Sequence, residues 1–143
     1  MTGEEPVDPN EYVLRRIHRG NTDLDAPTIV KRCEFEPKPR DVDGLSFFRE
    51  KYTPVEVLVN AARSPEDVYI VRLTVAQITA LGLTLEMTAG DLPGHVSVPE
   101  VSYARFLADK ITSKELQRRL AVLASEHIVH SPPTIDPSSP SPA

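Results

Sequence analysis

The sequence predicts an α+β fold: a single domain with a mixed or mainly antiparallel sheet of about five to six strands, two short helices and a longer C-terminal helix. Three observations lead there. Short β-favouring runs alternate with turn signals through the first two thirds of the chain. Helix starts marked by a Thr and by a Glu or Gln three residues later recur at Thr53, Thr74 and Thr112. The order of elements is strands, then strand–helix–strand–helix–strand–strand, then helices, which places helices against one sheet.

Residues 12–18 open the ordered part as a strand ahead of Gly20-Asn21. Alternation puts Tyr12, Leu14, Arg16 and His18 on one face and Val13, Arg15 and Ile17 on the other. An arginine is therefore carried inward whichever face meets the core, and a desolvated guanidinium needs carboxylates or carbonyls beside it. A loop over 21–27 leads to a second strand at 28–35, stopped by Pro37 and Pro39. The stretch Asp41-Val-Asp-Gly-Leu-Ser-Phe-Phe-Arg-Glu50 is the piece the rest is arranged to cover. Its Asp43-Gly44 turn feeds a strand over 45–49, with Leu45, Phe47 and Arg49 on one face and Ser46 and Phe48 on the other.

Thr53-Pro-Val-Glu56 starts a helix with the apolar stripe Val55, Leu58, Val59 and Ala62, ended by Ser64-Pro65. Residues 68–73 form the strongest strand, apolar on both faces except at Arg72. Thr74-Val-Ala-Gln77 caps a short helix that buries Val75, Ile78 and Leu81 and stops at Gly82. A strand at 83–87 and a loop at 89–94 follow, and then a strand at 95–98. In that last strand Val96 and Val98 take the core, so His95 and Ser97 point the other way. Residues 102–108 are helical in composition, and a capping box at 112–115 starts the longest helix. Its stripe of Leu116, Leu120, Leu123 and His127 is backed by Ala121 and Ala124, and it ends near Ile128. Residues 1–10 and the Pro/Ser-rich 131–143 are expected to be disordered, leaving 11–130 as the domain.

Composition narrows the function classes. Of 143 residues, 40% are hydrophobic and 26% charged, which is globular in type, and the net charge of −5 shows no basic footprint for nucleic-acid phosphates. One cysteine, Cys33, excludes an intrachain disulfide and a multi-cysteine metal site. Histidines at 18, 95, 127 and 130 lack ligand spacing, so no metal is expected. With no signal-peptide pattern and no run of eighteen apolar residues, the expected location is cytoplasmic, without a membrane partner.

Phosphate-binding loops, dinucleotide turns, His-Glu-x-x-His and Gly-x-Ser-x-Gly are all missing from the sequence. What remains is a set of polar residues inside apolar strands: Arg15 or Arg16, Ser46, Arg49 and His95. A strand-borne arginine and serine bind an anion or polarise a carbonyl, and an imidazole supplies a hydrogen bond or a proton. The alternatives stay open: a serine bonded only to backbone, and an Arg49 paired at the surface with Glu50 or Asp43. His127 reads as a helix-end residue, and His130 borders the tail.

Leu14-Arg-Arg-Ile17, Asp43-Gly-Leu-Ser-Phe-Phe-Arg49, Pro93-Gly-His-Val96 and residues 116–129 followed by Pro132 resemble a group of small bacterial proteins. In these an Asp-Gly-Leu-Ser-aromatic segment precedes a strand–helix–strand unit and a Gly-His strand. The resemblance implies a bacterial cytosolic origin and carries no activity with it. A second resemblance is to ADP-ribosyltransferase-like folds, including the RES-type NAD-degrading toxins. It implies Arg16 on the pyrophosphate or ribose of NAD, Ser46 positioning the nicotinamide ribose and His95 near the scissile bond. The carboxylate typical of many transferases has no counterpart at the last position.

The preferred expectation is a binding domain without a cofactor, taking a partner protein or a small anionic ligand at a cleft of Arg16, Ser46, Arg49 and His95. The alternative is an enzyme acting on NAD, with Arg16, Ser46 and His95 as its catalytic residues.

Overall fold

The computed structural model describes residues 4–22 and 29–132. Six strands form one antiparallel sheet in the order β4-β5-β2-β1-β3-β6. They are β1 (Tyr12–His18), β2 (Leu45–Arg49), β3 (Val68–Thr74), β4 (Glu86–Met87), β5 (His95–Val98) and β6 (Ile128–His130). The helices are α1 (Val55–Asn60), α2 (Val75–Thr79), α3 (Tyr103–Ala108) and α4 (Lys110–Ser125). The fold is thus α+β, with one longer helix near the C-terminus. Among the described residues no helix is long and apolar enough to cross a membrane.

Strand alternation divides the sheet into two unequal cores. On one face Val13, Ile17, Phe47, Val71, Leu73, Val96 and Val98 pack with Ile78 of α2 and Leu120 and Ala124 of α4. On the other, Leu14, Phe48 and Ile70 meet only Leu58 of α1 as a fully buried helical partner. Because α1 spans six residues, it roofs one corner of its face and leaves the region of Arg16, Ser46 and His95 without a helix above it.

Both inward arginines meet carboxylates and carbonyls. Arg15 Nε donates to Glu34 Oε1 at 3.0 Å, and its remaining nitrogens donate to the carbonyls of Ser46 and Glu34. Its guanidinium lies over the rings of Phe35 and Phe47 at 5.2 and 5.7 Å. Arg49 is fully buried. It grips Glu11 through two bonds of 2.7 and 2.8 Å and also donates to the carbonyls of Glu5 and Pro6.

Several expectations are corrected. Residues 29–35 do not form a strand: Val30 makes an isolated bridge to Thr22, and Arg32–Phe35 is a 3-10 turn. A strand would send Glu34 and Phe35 to opposite sides, whereas the turn buries both, giving Arg15 its carboxylate and its aromatic neighbour. Residue 28, in the same expected strand, lies outside the described residues. The loop of residues 83–85 precedes a β4 of only two residues. Thr53 does not cap α1; it is buried and its hydroxyl donates to the Pro93 carbonyl at 2.7 Å. The longest helix starts two residues before Thr112, because the Asp109 carboxylate accepts from both the N–H and the hydroxyl of Thr112. It ends at Ser125, and the chain turns back so that Ile128–His130 pairs with β3.

Residues 4–10, expected to be disordered, lie along the fold. Arg49 holds the carbonyls of Glu5 and Pro6, Glu5 N–H donates to the Tyr52 hydroxyl, and Ala76 N–H donates to the Pro9 carbonyl. Ser131 and Pro132 are the last described residues, so the expectation for the remainder of the tail falls outside them.

The Arg49–Glu11 pair sets an acid limit on the fold. Burial alone would raise the Glu11 carboxyl, but the Arg49 guanidinium and the Asp8 N–H outweigh it and hold the group below its ordinary value. A depressed carboxylate stabilises above its unfolded pKa, and that stability is lost as pH falls through the depressed value. Glu11→Gln leaves Arg49 buried without a counter-charge and should cost about 3–5 kcal/mol at neutral pH. The gap from wild type should narrow as pH falls through the lowered Glu11 value. Urea midpoints measured from neutral pH downward check this; equal midpoints at neutral pH would remove the pair from its stabilising role.

Candidate functional site

The β2–β5 register builds the site. Ser46 stands opposite Ser97 and Phe48 opposite His95, so all four share a face, with Ser46 and His95 one diagonal step apart. Diagonal neighbours of that kind come within reach of long side chains. His95 Nε2 lies 2.9 Å from Ser46 Oγ, and Nδ1 lies 2.8 Å from Thr88 Oγ1. Thr88 Oγ1 is in turn 2.8 Å from Ser97 Oγ. Thr88 directly follows β4, and its N–H bonds the His95 carbonyl.

The imidazole is clamped on two further sides. Phe48 meets it edge-on with centroids 5.3 Å apart. On the loop before β5, a Cβ on Gly90 would come 2.3 Å from the ring, so only glycine fits there without moving His95.

Proton accounting gives the hydroxyl line a direction. Ser97 is 1% exposed, and among the described residues its side-chain hydroxyl bonds only Thr88. If its O–H pointed away from Thr88 it would be a buried donor without an acceptor, at a cost of about 1–3 kcal/mol. Ser97 therefore donates to Thr88, and Thr88 donates to His95 Nδ1. The ring proton then sits on Nε2 and donates to Ser46 Oγ. Ser46 has an acceptor lone pair filled from behind and its own O–H left for the cleft. Successive hydrogen bonds in such a chain strengthen one another.

The cleft has a volume of about 670 Å³, within the range of small-molecule sites. Arg16, Ser46 and His95 all line it, as do Arg15 and Phe48. Arg16 stacks over Phe48 at 5.4 Å and reaches Asp91 at 3.5 Å, a carboxylate that is 65% exposed. Arg15 borders the same space, with Nε and both Nη atoms each committed to Glu34 or a carbonyl. Arg49 is the misplaced candidate. It lies on the opposite face with Leu45 and Phe47, where strand alternation places it, fully buried and met by Glu11 and the N-terminal carbonyls.

Sequence reasoning missed Thr88, Ser97 and Gly90 as parts of this site. Ser97 was signalled, since alternation places it beside His95. Thr88 and Gly90 depend on how the β4–β5 hairpin closes, which no local pattern encodes. Among the described residues no group of three or more His, Cys, Asp or Glu is arranged to hold a metal ion.

The assigned tautomer is open to direct measurement. Two-bond 1H–15N correlation spectra, recorded where imidazoles are neutral, should show the His95 proton on Nε2. In Thr88→Val, which removes the donor to Nδ1, that preference should weaken or reverse. A proton on Nδ1 in the wild type would show that the hydroxyl line runs the other way. Comparison of the chain with protein-family models, curated proteins and solved structures finds no significant match to any of the three.

Proposed function

We propose that the protein is a binding domain whose cleft takes a small anionic ligand. The observation that carries this reading is the Ser46 hydroxyl, 2.9 Å from His95 Nε2 on the cleft that Arg16 also lines. A charged donor and a preorganised neutral donor on one concave surface are the means by which proteins hold carboxylates and phosphates. Arg16 is suited to the exchange. Its contact to exposed Asp91 is long, at 3.5 Å, and a ligand oxygen at shorter range would replace it.

The NAD-acting reading draws on the same trio, since Arg16, Ser46 and His95 line one space. Under it, purified protein incubated with NAD releases nicotinamide, and His95→Ala abolishes the release. Under the binding reading no nicotinamide appears. A partner protein in place of a small ligand would have to present its own acidic group to the same surface.

Calorimetric titration with inorganic phosphate tests the binding reading. Arg16→Ala should weaken binding about tenfold or more, the loss expected for one hydrogen bond to a charged group. Asp91→Asn, which removes the competing carboxylate, should tighten it. Unchanged affinity in both variants, or no binding by the wild type, would overturn the assignment of the cleft.

A further inference from the structure

We infer that the ligand carries more than one anionic group and that Arg40 and Arg63 form a second, outer anion subsite; this rests on the anion-binding reading above.

The chain has 21 acidic residues against 16 basic ones, so an arginine without an acceptor is the exception here. Arg15, Arg16, Arg19, Arg32, Arg49, Arg72, Arg118 and Arg119 each meet a carboxylate. Among the described residues, the side chains of Arg40, Arg63 and Arg105 have neither an ion pair nor a hydrogen bond. Of these three, Arg40 and Arg63 line the cleft and Arg105 does not.

They reach the cleft from different walls. Arg40 follows Pro39 on the segment after the 3-10 turn, and Arg63 follows α1. Both are exposed at the mouth, whereas Arg16 and Ser46 are half-buried within. The acids lining the same space are largely engaged. Glu34 holds Arg15, Glu36 holds Arg32 and Lys38, and Asp91 holds Arg16. Asp41 accepts from the Lys38 N–H and is the acid nearest in sequence to Arg40. Among the described lining residues, five Lys or Arg face four Asp or Glu, leaving one positive charge. That surplus lies at the mouth, and an inner monoanion would not reach it. A ligand with a second phosphate or carboxylate would engage Ser46 and Arg16 with one group and the outer guanidiniums with the other.

The test compares orthophosphate, pyrophosphate and tripolyphosphate by calorimetry on the full chain. Wild-type affinity should rise from ortho- to pyro- or tripolyphosphate by about tenfold or more. The double variant Arg40→Gln/Arg63→Gln should abolish that gain and leave orthophosphate binding unchanged. The double variant Arg105→Gln/Lys110→Gln, which removes equal charge away from the cleft, should change nothing. If orthophosphate binds through Arg16 but the longer anions gain nothing, or gain equally in the double variant, the outer subsite is refuted and the inner one stands. An equal loss in Arg105→Gln/Lys110→Gln would reduce the effect to the general field of the protein and refute the subsite as well. If no anion binds the wild type, both readings fail together.

Discussion

The antiparallel register of β2 on β5 is the constraint on which the site depends. Leu45 opposite Val98 and Phe48 opposite His95 put Ser46 and His95 on one face, and a slip of one residue would send Ser46 into the larger core and Arg49 out of it. Gly44 guards that register. Its φ is +114°, and a Cβ there would fall 1.9 Å from the Val98 carbonyl oxygen, so the strand enters the sheet at a point where only glycine fits. The turn dipeptide Asp43-Gly44 is thus less a hairpin tip than a close passage between two backbones.

From that register follows a division of labour between arginines. Alternating strands with one guanidinium per face would leave a buried charge somewhere, and the fold answers each case differently. Arg49 recruits Glu11 and the carbonyls of residues 5 and 6, which draws the N-terminal segment onto the domain. Arg15 recruits Glu34, which requires a 3-10 turn where the sequence reads as a strand. Arg16, on the face that α1 covers only in part, finds no buried acid and keeps a long contact to an exposed one. The same residue type therefore acts as tether, core anchor and open cation according to what covers its face.

How much of this was legible follows from the range of the interactions involved. The α+β class, the facing of β1, β2 and β5 and the capped helix after β3 rest on contacts within a few residues, and the sequence reading places them. The Thr74 capping box forms with both reciprocal bonds present. Of the expected site residues, Arg16, Ser46 and His95 line one cleft and Arg49 does not. For Arg49 the alternation of β2 already separates it from Ser46, and what no local pattern encodes is its partner Glu11, 38 residues away. Residues 32–35 were misread for the same reason: β-favouring residues were overruled by the need of a distant strand for Glu34. β6 was missed because three residues after a helix carry almost no strand signal until an unpaired edge of β3 is there to accept them.

The polarity assigned to the hydroxyl line bears on the proposed anion binding at this site. A serine nucleophile needs a histidine whose Nε2 is free to take the serine proton, with the far nitrogen protonated and steadied by a carboxylate. Here the far nitrogen meets a threonine hydroxyl, and behind it lies Ser97, buried, whose proton has no other acceptor. Reversing the line to activate Ser46 would strand that proton at a cost of about 1–3 kcal/mol. The resting arrangement instead makes His95 a donor to Ser46 and Ser46 a donor to the cleft. A neutral donor fixed in direction, beside an arginine with a weakly held counter-ion, favours an acceptor-rich anion over an ester awaiting attack.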